Sequence, residues 1–110
     1  MRAHLTLILS KKFFTQKIKK SLKIQLNNRT LVTTYEKKKY WKDSHMVKID
    51  VVINPNGKLT EQEWKTVFAK FANIDSVMKD ADSMEIACYS KLFEPEDIFA
   101  VLYVPNSIIE

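Results

Sequence analysis

Between Met46 and Ile53 the chain alternates, with Val47, Ile49, Val51 and Ile53 on one face and Lys48 and Asp50 on the other. A period of two marks a strand with one buried face, so this stretch predicts a β-strand. His4–Ser10, with Leu5, Leu7, Ile8 and Leu9 apolar, predicts a second, short and buried. Thr30–Trp41 is rich in β-branched and aromatic residues and predicts a third, joined to Met46–Ile53 as a hairpin through Lys42-Asp43-Ser44. Met84–Tyr89 and Ile98–Val104 predict two more. The last is apolar on both faces, as a central strand would be, and Pro105 stops it.

Elsewhere the period lengthens. After the turn signal Asn54-Pro55-Asn56-Gly57, Thr60 and Glu63 have the spacing of a capping box, and Leu59 and Trp64 that of a hydrophobic staple. Trp64, Val67, Phe68 and Phe71 then make one buried helical face ending near Asn73. In Lys11–Leu26, Phe14, Ile18, Leu22 and Leu26 also share a helical face, while Lys12, Lys19, Lys20 and Lys23 gather on another. Leu22-Lys23-Ile24-Gln25-Leu26 alternates as a strand would, and Asn27-Asn28 suits either a hairpin turn or a helix stop. The longer helical spacing is favoured. Ile74–Ser83 predicts a loop or a short irregular helix, and Lys91–Asp97 a connection.

The expected fold is therefore a single α+β domain over residues 1–110. It has an antiparallel sheet of about five strands with two helices on one face. Its order is ferredoxin-like, β-α-β-β-α-β, with one extra C-terminal strand.

Composition narrows the chemistry. The 45% apolar fraction is ample for a core, and 110 residues suit one domain. With one glycine there can be no glycine-rich phosphate loop, dinucleotide turn or G-x-S-x-G elbow, since each needs at least two close together. Gly57 stands where a positive φ is most needed, with asparagine at the other tight corners, Asn27, Asn28, Asn73 and Asn106. A single cysteine, Cys88, excludes an internal disulfide framework and a multi-cysteine zinc site. The apolar run in Met1–Leu9 is too short for a signal-peptide core or a membrane span, so the expectation is a cytoplasmic protein with no integral membrane segment.

Charge is segregated along the chain. Residues 1–48 carry thirteen Lys and Arg against Glu36 and Asp43, a balance of +11. Residues 49–110 carry five lysines against eleven acids, a balance of −6, leaving the net +5. Arg2 and Arg29 are the two arginines, few for bidentate recognition of phosphates and bases.

No constellation of catalytic residues emerges, and no cofactor or metal is implied. His4, His45 and Cys88 are far apart in sequence, and Cys88 alternates with Met84 and Ile86 as a core residue would. Asp75, Asp80, Asp82 and Glu85 lack the spacing of a calcium loop. Glu94, Glu96 and Asp97 cluster around Pro95 in an expected surface connection rather than a cleft. The basic stretch 11–26 could lie on an anionic membrane, but its apolar stripe suits packing on the sheet better.

These exclusions leave binding. The expectation is a non-enzymatic protein-binding module, of the kind of small bacterial immunity or inhibitor protein that neutralises a toxin by direct contact. A basic nuclease is one such partner. Asp80, Asp82, Glu85, Glu94, Glu96 and Asp97 would face it, complementary charge speeding encounter and rejecting wrong partners. The alternative is a nucleic-acid-binding domain in which Lys37, Lys38, Lys39, Tyr40, Trp41 and Lys42 mix stacking rings with cations. The glycines of the RNA-recognition signature are missing from that segment. Lysines there would also guard an edge hairpin against strand pairing.

Overall fold

The computed structural model describes residues 1–11, 23–40, 45–89 and 98–110, and for 36–38 and 40 the backbone alone. Among the described residues seven strands form one sheet: β1 (Ala3–Ser10), β2 (Lys23–Leu26), β3 (Arg29–Tyr40), β4 (Met46–Asn54), β5 (Ser76–Lys79), β6 (Ser83–Tyr89) and β7 (Ile98–Pro105). One α-helix among the described residues, α1 (Glu61–Ala69), separates β4 from β5, and a 3-10 turn, Asn106–Ile108, follows β7. The spatial order is β2-β3-β4-β1-β7-β6-β5, every neighbouring pair antiparallel.

This overturns the ferredoxin-like order and the count of about five strands, and one helix rather than the expected two stands among the described residues. A ferredoxin-like β-α-β unit joins two parallel strands that enclose one antiparallel neighbour. Here β1 and β2 are separated by β4 and β3, so the antiparallel pairings make them run in opposite directions. The strands joined through α1, β4 and β5, run the same way but enclose three others.

The two unforeseen strands are the short edges of the sheet. Lys23–Leu26 is strand and not the end of a helix; the remainder of that expected helix, 12–22, lies outside the described residues. Its alternation is genuine, with Ile24 and Leu26 buried and Lys23 and Gln25 exposed. Asn27-Asn28 forms the two-residue link to β3, and Asn27 adopts φ 53°, the positive value that short hairpin turns favour. Asn28, Asn73 and Asn106 do not share that conformation, whereas Asn56 does, at φ 55°. At the other edge, Ser76–Lys79 stands where a loop or irregular helix is expected. Its four side chains are half-buried or exposed, with Val77 alone packed against the core, so backbone pairing with β6 more than apolar burial makes it a strand.

The core lies against one face of this sheet. Leu5 of β1 stands between Val51 and Leu102, and Leu7 between Ile49 and Ala100, all buried. β7 is central, as its apolar run predicts, lying between β1 and β6. Helix α1 adds Trp64, Val67 and Phe68 to the same core. Its start follows the capping box: the Glu63 amide donates to Thr60 Oγ1 at 3.1 Å, and the Thr60 amide to Glu63 Oε1 at 3.0 Å. Such a cap contributes about 1 kcal/mol. The helix closes at Ala69 instead of near Asn73, its end tightening into bonds from Lys70 to Val67 and Phe71 to Phe68. No helix among the described residues is long and apolar enough to cross a membrane.

Candidate protein-binding surface

Alternation along each strand sends the intervening residues to the opposite face, away from α1. Register sorts them into cross-strand rows. One runs Lys48, Ile8, Phe99, Tyr89 across β4, β1, β7 and β6, and the next Asp50, Thr6, Val101, Ala87. A third runs Val52, His4, Tyr103, Glu85 and Met78, reaching β5. The middle of this face is apolar and half-buried at Ile8, Phe99 and Val101. Toward β6 and β5 the side chains stand free of cover, with Tyr89 56%, Tyr103 38% and Met78 61% exposed. The Tyr89 and Phe99 rings lie 5.8 Å apart at 52°. Thr6 Oγ1 donates to Asp50 Oδ1 at 3.2 Å, which satisfies the carboxylate on the β1–β4 side.

The acids of the C-terminal half fall into two groups. Half of those described, Asp50, Glu61, Glu63 and Asp75, serve the fold. Glu63 caps α1. Asp75 Oδ2 accepts from the Tyr89 amide at 2.6 Å while its own amide donates to Ala87 O, extending the β5–β6 ladder by one step. Glu61 pairs with Lys79 at 2.8 Å and Lys65 at 3.6 Å. The Lys79 hydrogen bond lowers the Glu61 pKa below the ordinary carboxylate value. A depressed carboxylate stabilises the fold above its unfolded pKa, and that contribution is lost as pH falls through the folded value. Lys79→Met is accordingly expected to move the Glu61 titration midpoint upward, read from the side-chain carboxyl resonance by NMR.

The second group faces outward. Asp80 and Asp82 are exposed in the turn between β5 and β6, where Asp80 Oδ1 accepts from the Ala81 amide at 3.2 Å. The carboxylates of Asp82 and Glu85 make no hydrogen bond or ion pair with a described residue. The turn that carries the two aspartates is held from β7's end. The Asn106 side-chain amide donates to Ala81 O at 2.8 Å and Asp80 O at 3.3 Å, and its backbone amide donates to Asp82 O at 2.9 Å.

Three of the six acids expected to face a partner thus belong to one hairpin beside Tyr103 and Met78. Glu94, Glu96 and Asp97 lie outside the described residues. On β3, Lys37, Lys38, Lys39 and Tyr40 stand in register with Asp50, Ile49, Lys48 and Val47, beyond a bulge between Tyr35 and Lys37. Successive positions on a strand alternate, so these four do not occupy one face. Trp41 and Lys42 lie outside the described residues. Cys88 belongs to the core, its Sγ 3.6 Å from Ile98 O, whereas His4 is on the opposite face and His45 is exposed before β4. Among the described residues no three of His, Cys, Asp and Glu are grouped to hold a metal ion.

Sequence reasoning overlooked Phe99, Tyr103, Tyr89 and Met78. For Phe99 and Tyr103 the signal was present in β7, whose apolarity on both faces reflects one buried face and one only half covered. Comparison with known proteins gives no matching family model, no matching curated protein and no matching solved structure.

Proposed function

We propose that this chain is a protein-binding module whose docking surface is the outer face of β5, β6 and β7. The observation that carries this reading is the row Tyr103, Glu85, Met78, with Asp80 and Asp82 in the adjoining turn. Exposed tyrosine and methionine around an apolar centre match the composition of interface cores, and exposed carboxylates beside them match a rim. Such a rim suits a basic partner. The proposed role is that of an inhibitor or immunity protein, covering a basic toxin such as a nuclease and blocking its substrate path.

The test is affinity purification from the native host after nuclease treatment, then titration of the recovered protein. Reversing the charges (Asp80→Lys, Asp82→Lys and Glu85→Lys together) should weaken binding at least tenfold and reduce its salt dependence. Tyr103→Ala should weaken it independently. A partner bound equally well by the charge-reversed chain would overturn the reading.

One observation favours nucleic acid as a second reading. Lys39 and Lys48 are cross-strand neighbours, and Lys48 shares its row with the Phe99–Tyr89 ring pair. Cations beside rings on a sheet suit single strands, with binding that falls steeply as salt rises. Binding of a single-stranded oligonucleotide at low salt, lost in Lys48→Glu and Tyr89→Ala, would select it.

A further inference from the structure

Where the start of β1, the end of β7 and the β5–β6 turn meet, the surface opens into a groove of about 570 Å³. Small-molecule sites commonly occupy about 300–1,000 Å³. Arg2, Asp82, His4, Tyr103, Asn106 and Ser107 are among its lining residues. Two features separate it from an ordinary surface furrow. Arg2 and Asp82 carry opposite charges on the same groove, yet neither side chain makes an ion pair or hydrogen bond with a described residue, the other included. The wall carrying Asp82 is also held in advance by the three Asn106 hydrogen bonds to the β5–β6 turn.

A simple anion would gain from Arg2 and be opposed by Asp82, and a simple cation the reverse. A ligand bearing a carboxylate and an ammonium answers both. We infer that this groove binds a zwitterion of the free α-amino-acid type, its carboxylate toward Arg2 and its ammonium toward Asp82. Tyr103, paired in register with His4, offers a ring to the ligand's side chain. Charge-assisted hydrogen bonds from both ends are the stronger kind, and a wall already in place saves the entropy of ordering it on binding. This inference does not rest on the protein-docking reading, though Tyr103 and Asp82 would serve in both, and it is tested with no partner present.

The experiment titrates the isotope-labelled full chain with each of the twenty free L-amino acids up to about 10 mM, following backbone amides by NMR. At least one should give saturable shifts at Arg2, Asp82, Tyr103 and Asn106. Its N-acetyl and carboxamide derivatives should each bind at least tenfold more weakly, because each lacks one charge. Arg2→Gln and Asp82→Asn should each cost a similar factor, and these exposed substitutions leave the core untouched. No saturable shift in the groove from any amino acid would overturn the inference. So would equal binding of the blocked derivatives, or full affinity in both variants. None of these outcomes bears on whether a protein docks on the outer face, which the charge-reversed chain tests separately.

Discussion

Trp64→Ala is expected to destabilise the protein by about 3–5 kcal/mol, much of the 5–15 kcal/mol that typically holds a domain together. Trp64 is fully buried and is among the largest side chains in the core. Its loss would leave a cavity between α1 and the sheet that the surrounding leucines and isoleucines fill only in part. It also has a second role. Trp64 Nε1 donates to Ile108 O at 3.2 Å, tying the helix to the chain beyond β7. Around that bond Leu59 and Ile109 form a parallel bridge, with the Leu59 amide donating to Ile108 O and the Glu110 amide to Leu59 O. Trp64→Phe separates the two contributions, since it keeps most of the ring volume but leaves the indole bond unmade. It should cost about 0.5–1.5 kcal/mol, the range for one lost hydrogen bond, because Ile108 O keeps the Leu59 amide as a partner. Urea denaturation measures both variants. Hydrogen exchange should show the Leu59 and Glu110 amides losing protection in Trp64→Ala before β1 and β7 do.

The second large effect is expected at Arg29, which clamps the loop leading into α1. Its Nη1 donates to Lys58 O at 2.9 Å, and its Nη2 to Pro55 O at 3.1 Å and more weakly to Asn56 O at 3.4 Å. The loop needs that clamp because its backbone is unusual. Asn54 Oδ1 accepts from the Asn56 amide at 2.9 Å, Asn56 lies at φ 55° and Gly57 at φ 138°. Arg29→Ala would release three carbonyls at once and should cost about 1.5–3 kcal/mol, nearer the lower figure because two of the three bonds are exposed. Arg29→Lys should recover less than half, because an ammonium is a compact charge and does not reproduce the guanidinium fork. Gly57→Ala should cost about 1 kcal/mol or more. At φ 138° an L side chain is strained, and its Cβ would stand 3.1 Å from Arg29 Nη2. Because the new methyl presses on the same guanidinium, the Arg29 and Gly57 variants should be non-additive in a double-mutant cycle. One of the chain's two arginines is therefore committed to the fold, leaving Arg2 for a ligand.

Where burial and local chemistry agree, the residues themselves specify the element. β1, β3, β4, β6 and β7 follow the apolar pattern to within a residue or two, because each must hide one face. α1 begins where Thr60 and Glu63 can satisfy its first amides, and Gly57 has the positive φ that its position asks for. β2 and β5 needed information from elsewhere in the chain. Leu22–Leu26 carries both periods, and pairing with Arg29–Val32 decides between them over 23–26. Ser76–Lys79 buries no side chain fully, with only Val77 packed against the core, and becomes a strand because β6 offers an open row of amides and carbonyls.

The candidate sites divide in the same way. Local sequence determined that the C-terminal half is acidic, that glycine-rich ligand loops are excluded and that α1 starts after Thr60. Glu63 is engaged locally by the capping box, but only tertiary structure decided that Glu61, Asp50 and Asp75 find partners distant in sequence while the carboxylates of Asp82 and Glu85 do not. Strand order, too, brought Tyr103 between His4 and Glu85, and Arg2 to the same groove as Asp82. These neighbours are distant in sequence, and no local period encodes which strand will lie beside which. That choice is made by the free energy of the whole sheet, in which burying Leu5, Leu7 and Leu9 between β4 and β7 outweighs any preference a short segment has alone.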